Sequence, residues 1–337
     1  MKIWLPYIAA GGGADIFTER FAAALSAAGH EVVCSAFSRW HLGAPYLLKA
    51  VSTPSKTDII VAHSWWAFAF HRVGVPLVMI EHGLVLDPDY APYRSRLQAL
   101  RHRMLLYRYI RAGLHVADAV VAVSNYTARS LEKVYRFSNS TVILNGIDTA
   151  FFTPANPVPS DAAHPPFRLL FVGHLIRRKG ADLLPAIMRS LGNDYELRYT
   201  SGWRKNLNIP HMSNMIPIGL VDQVTLREEY RKADLLLFPT RFDGFGLPVI
   251  ESMACGTPVV GSNRCAMQEL VADGVNGRLC LLESVEEYVD NIRELMEDRH
   301  QLKKMALNAR AVVLKRFNEH KMISAYMELF EMLKRRP

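Results

Sequence analysis

Short apolar runs that alternate with helical patterns are the feature that most restricts the fold of this 337-residue chain. A strand that is buried on both faces reads as an uninterrupted apolar run, and residues 233–238 (ADLLLF) are the clearest example. The alternation therefore predicts an α/β protein with parallel sheets covered by helices. The predicted strands are residues 2–8, 31–37, 58–63, 76–81, 118–124 and 141–145, followed by 167–173, 195–201, 215–220, 234–238 and 258–261.

One segment interrupts the alternation near the middle of the chain. Residues 151–166 (FFTPANPVPSDAAHPP) are rich in Pro and Ala, break both periodicities and are typical of a linker. We therefore expect two doubly wound domains, residues 1–150 and 151–318, with a cleft between them and ligands beyond the carboxyl ends of their strands. The last segment, residues 319–337, has the apolar spacing of a helix.

Composition restricts the class of protein and its surroundings. Half of the residues are apolar, which is enough for two cores. The four cysteines lack metal-ligand spacing, which favours reduced core residues in a cytoplasmic protein over a zinc site. No run approaches the ~20 apolar residues of a membrane span, and residues 1–15 read as a strand and a glycine loop rather than a signal peptide. The net charge of +8 suits an anionic partner, but no nucleic-acid-binding module is present, and we expect no nucleic-acid partner.

The segment of residues 239–258 (PTRFDGFGLPVIESMACGTP) reads as a strand end, a glycine loop and a helix. Gly244 and Gly246 allow the backbone to approach a ligand closely, and Pro248 suits the first turn of a helix, whose free N–H groups bind phosphate. Glu251 lies just inside that helix, where its two acceptor oxygens suit the vicinal hydroxyls of a ribose. The alternative is a tight turn followed by an acid that favours the helix N-terminus.

The motifs of the chain, taken in order, resemble those of the retaining family 4 glycosyltransferases. Asp243 and Glu251 stand where this family has its E-x7-E signature, with Asp in place of the usual first Glu. Any one motif is weak, but their order and spacing are specific, and they cover almost the whole chain. The other motifs are GGGAD (11–15), EHG (81–83), ADAVVAVS (117–124), NGID (145–148) and VGHLIRRKG (172–180).

The resemblance implies the GT-B fold, which consists of two Rossmann-like domains that face each other across a cleft. The domain of residues 1–150 is then expected to bind the acceptor, and a C-terminal helix, about residues 319–337, to cross back onto it. The domain of residues 151–318 is expected to bind the donor, a UDP- or GDP-linked sugar. No cofactor and no metal ion are expected.

The implied site residues fall into three groups. His82, Asp243 and Lys179 are the candidate catalytic residues, because His82 and Asp243 would contact the transferred sugar and Lys179 would neutralise the departing β-phosphate. The candidate donor-binding residues are Gly12, Gly13, His174, Arg178, Lys179, Leu220, Val221, Gly244, Phe245, Gly246, Leu247, Pro248, Val249 and Glu251. The candidate acceptor-binding residues are Asp15, His63 and Trp65.

Several of these roles have simpler alternatives. Family members carry an Arg where this chain has His174, so Arg177 or Arg178 is a candidate substitute in the phosphate clamp. The basic loop that contains Lys179 could otherwise be only solvated, and the three glycines at 11–13 could form an ordinary turn. Trp65 suits stacking on a sugar, whereas packing against a neighbouring helix is the favoured role for at least one of the tryptophans at 65 and 66.

Two further features each allow a functional and a structural interpretation. Asp87 and Asp89 form a D-x-D, which holds a metal ion in the other glycosyltransferase fold, but it lies in a loop of the first domain away from any nucleotide signal. Between residues 94 and 111 there are six arginines and no acid, beside a stripe of apolar residues at helical spacing. This helix could lie on an anionic membrane, or it could pack in the core with solvated arginines.

The sequence therefore predicts a retaining, metal-independent glycosyltransferase of the hexosyltransferase type. Its acceptor is expected to be a glycan or a lipid-linked molecule of bacterial envelope polysaccharide or lipopolysaccharide synthesis. The enzyme is expected in the cytoplasm, peripheral on the inner face of the membrane. The alternatives are a nucleotide-sugar epimerase on the same fold and a non-catalytic binder of nucleotide sugars, since Asp243 and His174 both depart from the family pattern.

Overall fold

The computed structural model describes residues 1–155, 166–201 and 207–335. Most of the predicted linker, residues 151–166, lies outside the described residues. The chain divides into two compact units, one made of residues 1–145 and 319–337 and the other of residues 146–318. The division therefore falls a few residues before the boundary at 150/151 that composition indicated.

The first unit is built on a six-stranded parallel sheet with the order β2-β1-β3-β4-β5-β6. The chain runs from β1 outward to β2 and then returns to the other side of β1, so the order reverses between β1 and β3. The strands are β1 (Lys2–Ala9), β2 (Glu31–Ser38), β3 (Ile59–His63), β4 (Leu77–Glu81), β5 (Ala119–Ala122) and β6 (Thr141–Val142).

Helices cover this sheet, and one of them comes from the C-terminal segment. The ring of Tyr326 lies 4.6 Å from that of Phe21, so the last helix packs against the first helix of the same unit. The helices are α1 (Gly13–Ala27), α2 (Arg96–Arg101), α3 (Tyr107–Val116), α4 (Asn125–Tyr135) and, after the second unit, α11 (Glu319–Lys334).

The arginine-rich segment, which the sequence pattern indicates as one helix, is interrupted by a π turn at His102–Leu106. A π turn changes the angular spacing of the side chains, so the predicted apolar stripe does not keep to one face. Leu97, Leu100 and Met104 are exposed, whereas Tyr107 stacks on Tyr135 with ring centroids 4.9 Å apart.

The second unit repeats this architecture with the order β12-β11-β10-β7-β8-β9, again fully parallel. Here the order reverses between β7 and β10. The strands are β7 (Phe167–Phe171), β8 (Tyr195–Thr200), β9 (Met215–Gly219), β10 (Leu235–Phe238), β11 (Val259–Ser262) and β12 (Gly277–Cys280). The predicted strands missed β12, because four residues that begin with Gly and include Arg carry little of the apolar signal of a central strand.

Both units thus confirm the predicted α/β class with doubly wound parallel sheets. The helices of the second unit are α5 (Leu184–Leu191), α6 (Gln223–Lys232), α7 (Leu247–Ala254), α8 (Met267–Leu270), α9 (Val285–Glu297) and α10 (Arg299–Arg316). In sheets of this kind, ligands bind beyond the carboxyl ends of the strands on either side of the reversal. The loops after β7 and β10, and those after β1 and β3, occupy these positions.

Candidate functional site

The loops after β7 and β10 are held against each other at the reversal point of the second sheet. The backbone N–H of Arg241 donates to the carbonyl oxygen of Arg178 at 2.9 Å, and Nη1 of Arg178 donates to that of Phe242 at 2.8 Å. Gly180 has φ 74°, and a Cβ there would lie 2.0 Å from the carbonyl oxygen of Pro239. Only glycine therefore allows the two loops to approach this closely.

This contact brings together two of the predicted catalytic residues, Lys179 and Asp243, as an ion pair. Nζ of Lys179 also lies 5.3 Å above the ring centroid of Phe238. Burial lowers the pKa of Lys179, and the attraction of Asp243 offsets this only in part. Burial opposes the charge of Asp243 as well, but Lys179 and Arg178 outweigh it and lower the pKa of that carboxyl group. The carboxyl group of Asp243 is therefore ionised at neutral pH, beside the amine of Lys179.

Helix α7 begins directly after this pair. Gly246 precedes it with φ 103°, a left-handed conformation that favours glycine, and Pro248 lies in its first turn. Gly244 is buried, as are the side chains of Phe245 and Val249, and Phe245 packs on Phe317 with ring centroids 6.0 Å apart. These residues can meet a donor only through their backbone, whereas Leu247 and Pro248 are half-buried.

Glu251 lies on α7 and is 4% exposed. One of its carboxylate oxygens accepts a hydrogen bond from the hydroxyl of Tyr230 at 2.9 Å. Tyr230 lies on α6 and is fully buried, so the partner that orients Glu251 comes from a neighbouring helix. The sequence analysis did not indicate this partner, and the ribose contact of Glu251 stays a prediction.

The remaining predicted donor residues of the second unit lie near the ends of other strands. His174 is half-buried and follows β7, where the N–H of Gly173 donates to the hydroxyl of Thr200 at 2.9 Å. Leu220 and Val221 follow β9, and Leu220 is 57% exposed. An exposed leucine beside a strand end is compatible with the predicted contact to a nucleotide base, which stays a prediction.

In the first unit, the glycine loop after β1 is organised by Asp15. Its carboxylate accepts hydrogen bonds from the N–H groups of Ala10 at 2.7 Å, Gly11 at 2.6 Å and Gly12 at 3.3 Å. All three bonds go to Oδ2 of Asp15, which positions the loop, and the acceptor contact of Asp15 stays a prediction. A Cβ at Gly12 or Gly13 would meet no atom within 4 Å, so open space lies beside both glycines.

The two predicted histidines of the first unit lie side by side. His63 and His82 stack with ring centroids 5.3 Å apart, and the ring centroid of Phe17 lies 4.6 Å from that of His82. Burial lowers the pKa of His82 to about 4, and burial together with His82 lowers that of His63 well below its usual value. Both rings are therefore neutral at neutral pH and can donate or accept hydrogen bonds.

Glu81, at the end of β4, supports the loop that carries His82. It is fully buried and accepts a hydrogen bond from the N–H of Gly83 at 2.9 Å. Burial raises its pKa, although the hydrogen bonds from Gly83, Ser64 and the backbone of His82 oppose this. The sequence analysis included Glu81 in a motif without assigning it a role.

The tryptophans after β3 are mainly packing residues. Trp66 is 4% exposed and stacks on His63 with ring centroids 4.7 Å apart. Trp65 is half-buried against the core of the first unit, and its backbone N–H donates to Nδ1 of His63 at 3.2 Å. An acceptor contact by Trp65 stays a prediction.

The D-x-D has a structural role. Asp87 is 2% exposed and accepts hydrogen bonds from the N–H of Asp89 at 2.8 Å and from the hydroxyl of Ser130. Tyr126 donates its hydroxyl to Asp89 at 3.2 Å. Within the described ranges, no group of three or more His, Cys, Asp or Glu side chains is placed to hold a metal ion.

The arginine-rich segment exposes both charge and apolar surface. Leu97 is 76% exposed and Leu100 58%, whereas Ile110 and Gly113 of α3 are buried. Nη2 of Arg101 donates to the carbonyl oxygen of Leu42 at 2.9 Å. Among the helices of the described residues, none is both long and apolar enough to cross a bilayer.

Comparisons with known proteins agree with this geometry. The family model described as Glycosyltransferase Family 4 matches residues 35–151, and that described as Glycosyl transferases group 1 matches residues 153–312. A D-inositol 3-phosphate glycosyltransferase of Xylanimonas cellulosilytica is 27% identical over 311 residues, which are 83% of this chain and 73% of that protein. The match to this chain spans 59% and 62% of the length of two other proteins with this name.

Solved structures share the fold over nearly the whole chain. Sucrose-phosphate synthase from Thermosynechococcus elongatus superposes with a TM-score of 0.84 at 21% identity, covering 99% of both chains. Anabaena HepE, solved in complex with UDP-glucose, superposes with a TM-score of 0.79 at 20% identity, again over 99% of both chains. These likenesses confirm the predicted GT-B fold.

Proposed function

Since the chain belongs to the group 1, family 4 glycosyltransferases, we propose that it transfers a sugar from a nucleotide-sugar donor to a glycan or lipid-linked acceptor. The observation that carries this proposal is the Lys179–Asp243 ion pair beside the start of α7. It combines a cation and helix N–H groups for a diphosphate with a carboxylate for sugar hydroxyls. The complex of Anabaena HepE with UDP-glucose supports a UDP-linked donor.

A thermal-shift screen of UDP- and GDP-sugars tests the donor. A ligand that binds the folded state alone stabilises by about 2.7 kcal/mol at 100 times its Kd, so the true donor should raise Tm clearly above the other sugars. Transfer, or slow hydrolysis of that donor, would then establish the reaction class. If no nucleotide sugar raises Tm, the proposed donor site is wrong.

The proposed chemistry needs no metal ion. Lys179 and the N–H groups at the start of α7 stabilise the charge that develops on the β-phosphate as its bond to the anomeric carbon breaks. The acceptor oxygen attacks the same face, and its proton passes to the β-phosphate oxygen, so the anomeric configuration is retained. His82, neutral at the working pH, contributes a hydrogen bond to the sugar. NMR of the product's anomeric signal tests retention, and an inverted product contradicts it.

A non-catalytic binder is the second candidate, because Asp243 is one methylene shorter than the family's Glu and is already paired with Lys179. Binding of a nucleotide sugar without transfer or hydrolysis would support the binder. Conversion of the donor to its epimer would instead support an epimerase on the same fold. An active transferase excludes both.

We further propose that the enzyme works on the inner face of a membrane, where a lipid-linked acceptor of bacterial envelope polysaccharide or lipopolysaccharide would lie. The support is the surface of residues 94–111, with six arginines, no acid and exposed Leu97, Leu100 and Met104. Each basic residue near an anionic surface contributes about 1 kcal/mol, and added salt weakens this attraction.

Co-sedimentation with vesicles tests the membrane surface. The wild type should bind anionic vesicles at low salt and neutral vesicles weakly. Arg96/Arg103/Arg108→Glu should abolish this binding, whereas a matched reversal on α10 of the other unit, Lys303/Lys304/Lys315→Glu, should reduce it much less. Wild-type protein that ignores anionic vesicles would refute the proposal.

A further inference from the structure

Arg241 is a charged side chain buried at 1% exposure, two residues before Asp243 in the loop between β10 and α7. Arginine is almost never fully buried unless it is paired, and a buried charge is costly unless its hydrogen bonds are satisfied. The sequence analysis assigned it no role. The partners of this guanidinium therefore indicate which parts of the structure it holds in place.

The guanidinium joins three loops at the carboxyl ends of the strands. Nη1 and Nη2 donate to the carboxylate of Asp182, at 2.5 and 3.0 Å, in the loop after β7. Nη2 donates to Glu283, after β12, at 2.5 Å, and Nε donates to the same carboxylate. Nη1 also donates to the carbonyl oxygen of Arg177. Burial opposes the charge of Arg241, but the hydrogen bonds that it donates to Glu283 and Asp182 outweigh burial and raise its pKa.

Two residues that touch Arg241 have strained backbones. Glu283 has φ 69° and Cys265 has φ 52°, both in the left-handed region that non-glycine residues seldom adopt. Sγ of Cys265 donates to the carbonyl oxygen of Arg241 at 3.7 Å. Strain of this kind persists only where the surrounding structure imposes it, and it occurs often at functional sites.

The same loops carry the donor residues. Arg177 and Asp182 flank Lys179 in the loop after β7, and Arg241 is bonded to both. Its backbone N–H donates to Arg178, so side chain and backbone hold the whole basic turn. The bonds to Asp182 and Glu283 also neutralise two carboxylates that would otherwise repel a diphosphate in this loop.

We propose that Arg241 is a positioning residue that sets Lys179 and Asp243 at the spacing required by the diphosphate of the donor. This inference rests on the proposed function. It assigns Arg241 no contact with the substrate, because its donors are already bonded to Asp182, Glu283 and Arg177. A guanidinium is needed because its fork bonds two carboxylates at once, which an ammonium group cannot do with the same geometry.

Calorimetry with UDP and GDP tests the proposal. Arg241→Lys keeps the charge and loses the fork. Because Lys179 would then no longer be held at the diphosphate, we expect affinity for the preferred nucleotide to fall by about 10- to 100-fold, as for the loss of one charge-assisted hydrogen bond. Glu283→Gln, at a half-exposed partner, should weaken binding less, in the same direction. The matched control is Arg299→Met. This arginine pairs with Asp234 at 2.8 Å near the amino ends of β7 and β10, away from the site, so its loss should lower Tm without changing nucleotide affinity.

A double-mutant cycle separates positioning from general stability. If Arg241 acts through Lys179, Arg241→Lys should have little further effect on nucleotide affinity in a Lys179→Met background. Full additivity, or unchanged affinity in Arg241→Lys, would overturn the inference while leaving the donor site intact. A wild type that binds neither UDP nor GDP would instead overturn the proposed function itself.

Discussion

The two sheets are both six-stranded, parallel and doubly wound, but their carboxyl ends differ in charge. In the second unit, Lys179 and Asp243 form an ion pair beside the start of α7, and Arg241 pairs with Asp182 and Glu283 in the adjoining loops. In the first unit, His63 and His82 are stacked, neutral and flanked by aromatic rings. Charged groups suit the diphosphate of a donor, whereas neutral rings suit a sugar. The two units therefore show that the residues in the loops at the reversal of each sheet give that unit its chemical character.

Removing the cation of Lys179 should have the largest effect on the charged site of the second unit. Lys179→Met should lower the transfer rate by about 100- to 1,000-fold, the usual cost of losing one preorganised donor to a developing charge. It would also leave Asp243 without its cation. Steady-state kinetics with the best donor measure this effect. The matched control, the exposed Lys232 of α6 changed to Met, should keep its rate, and a Lys179→Met enzyme at full rate would remove Lys179 from the chemistry.

Glu251→Ala tests whether the carboxylate of Glu251 binds the ribose of the donor. Hydrogen bonds to a charged group contribute about 1.5–3 kcal/mol, so affinity for free UDP should fall by about 10- to 100-fold if the carboxylate holds the ribose. Tyr230→Phe keeps that carboxylate and removes only its 2.9 Å partner, so its effect should be smaller. Calorimetry measures both. Unchanged affinity in Glu251→Ala would end the ribose assignment.

The two neutral histidines of the first unit predict that the stability of this unit depends on pH. The pKa of His63 and His82 is lowered by burial, so the unfolded state binds protons first as pH falls. The contribution of these two histidines to the stability of the first unit is therefore complete above the ordinary histidine pKa, and it should decline from about pH 6.5 towards 4. In the second unit the pKa of Asp243 is lowered, so its contribution should persist until the pH falls below the ordinary Asp value.

Tryptophan fluorescence can follow this difference in a Trp203→Phe background, because the other four tryptophans, Trp4, Trp40, Trp65 and Trp66, all belong to the first unit. The denaturant concentration at the unfolding midpoint of the first unit should be lower at pH 5 than at pH 7. The double variant His63→Gln/His82→Gln should reduce that dependence, and the lowered pKa values of His30 and His102 account for what remains. A midpoint that stays constant in the wild type would show that the two histidines are solvated.

Chelation should have the smallest effect. Because Lys179 and helix N–H groups supply the positive charge, EDTA is expected to leave the transfer rate unchanged. Assays before and after dialysis against EDTA measure this. Loss of activity that Mg²⁺ or Mn²⁺ restores would contradict the metal-independent chemistry and would require ligands other than the structurally engaged Asp87.

Much of the fold and part of the site follow from sequence pattern. The apolar runs predicted eleven strands, and the structure places a strand in each of those segments, while the short β12 escaped notice. The predicted donor and catalytic residues of the loops after β7 and β10 are brought together. The bonds of Asp15 to its own loop were not predicted, although a carboxylate three residues into a helix readily satisfies the free N–H groups before it.

The sequence by itself determined the features that depend on near neighbours: the alternating strands and helices, the turn at Gly246 and the helix start at Pro248. Only the tertiary structure decided which distant residues meet. The pairing of Lys179 with Asp243, and of Arg241 with Asp182 and Glu283, depends on which strands lie beside each other at the reversal of the sheet. Local periodicity carries no record of strand order, because each strand's apolar pattern fits any interior position of a parallel sheet.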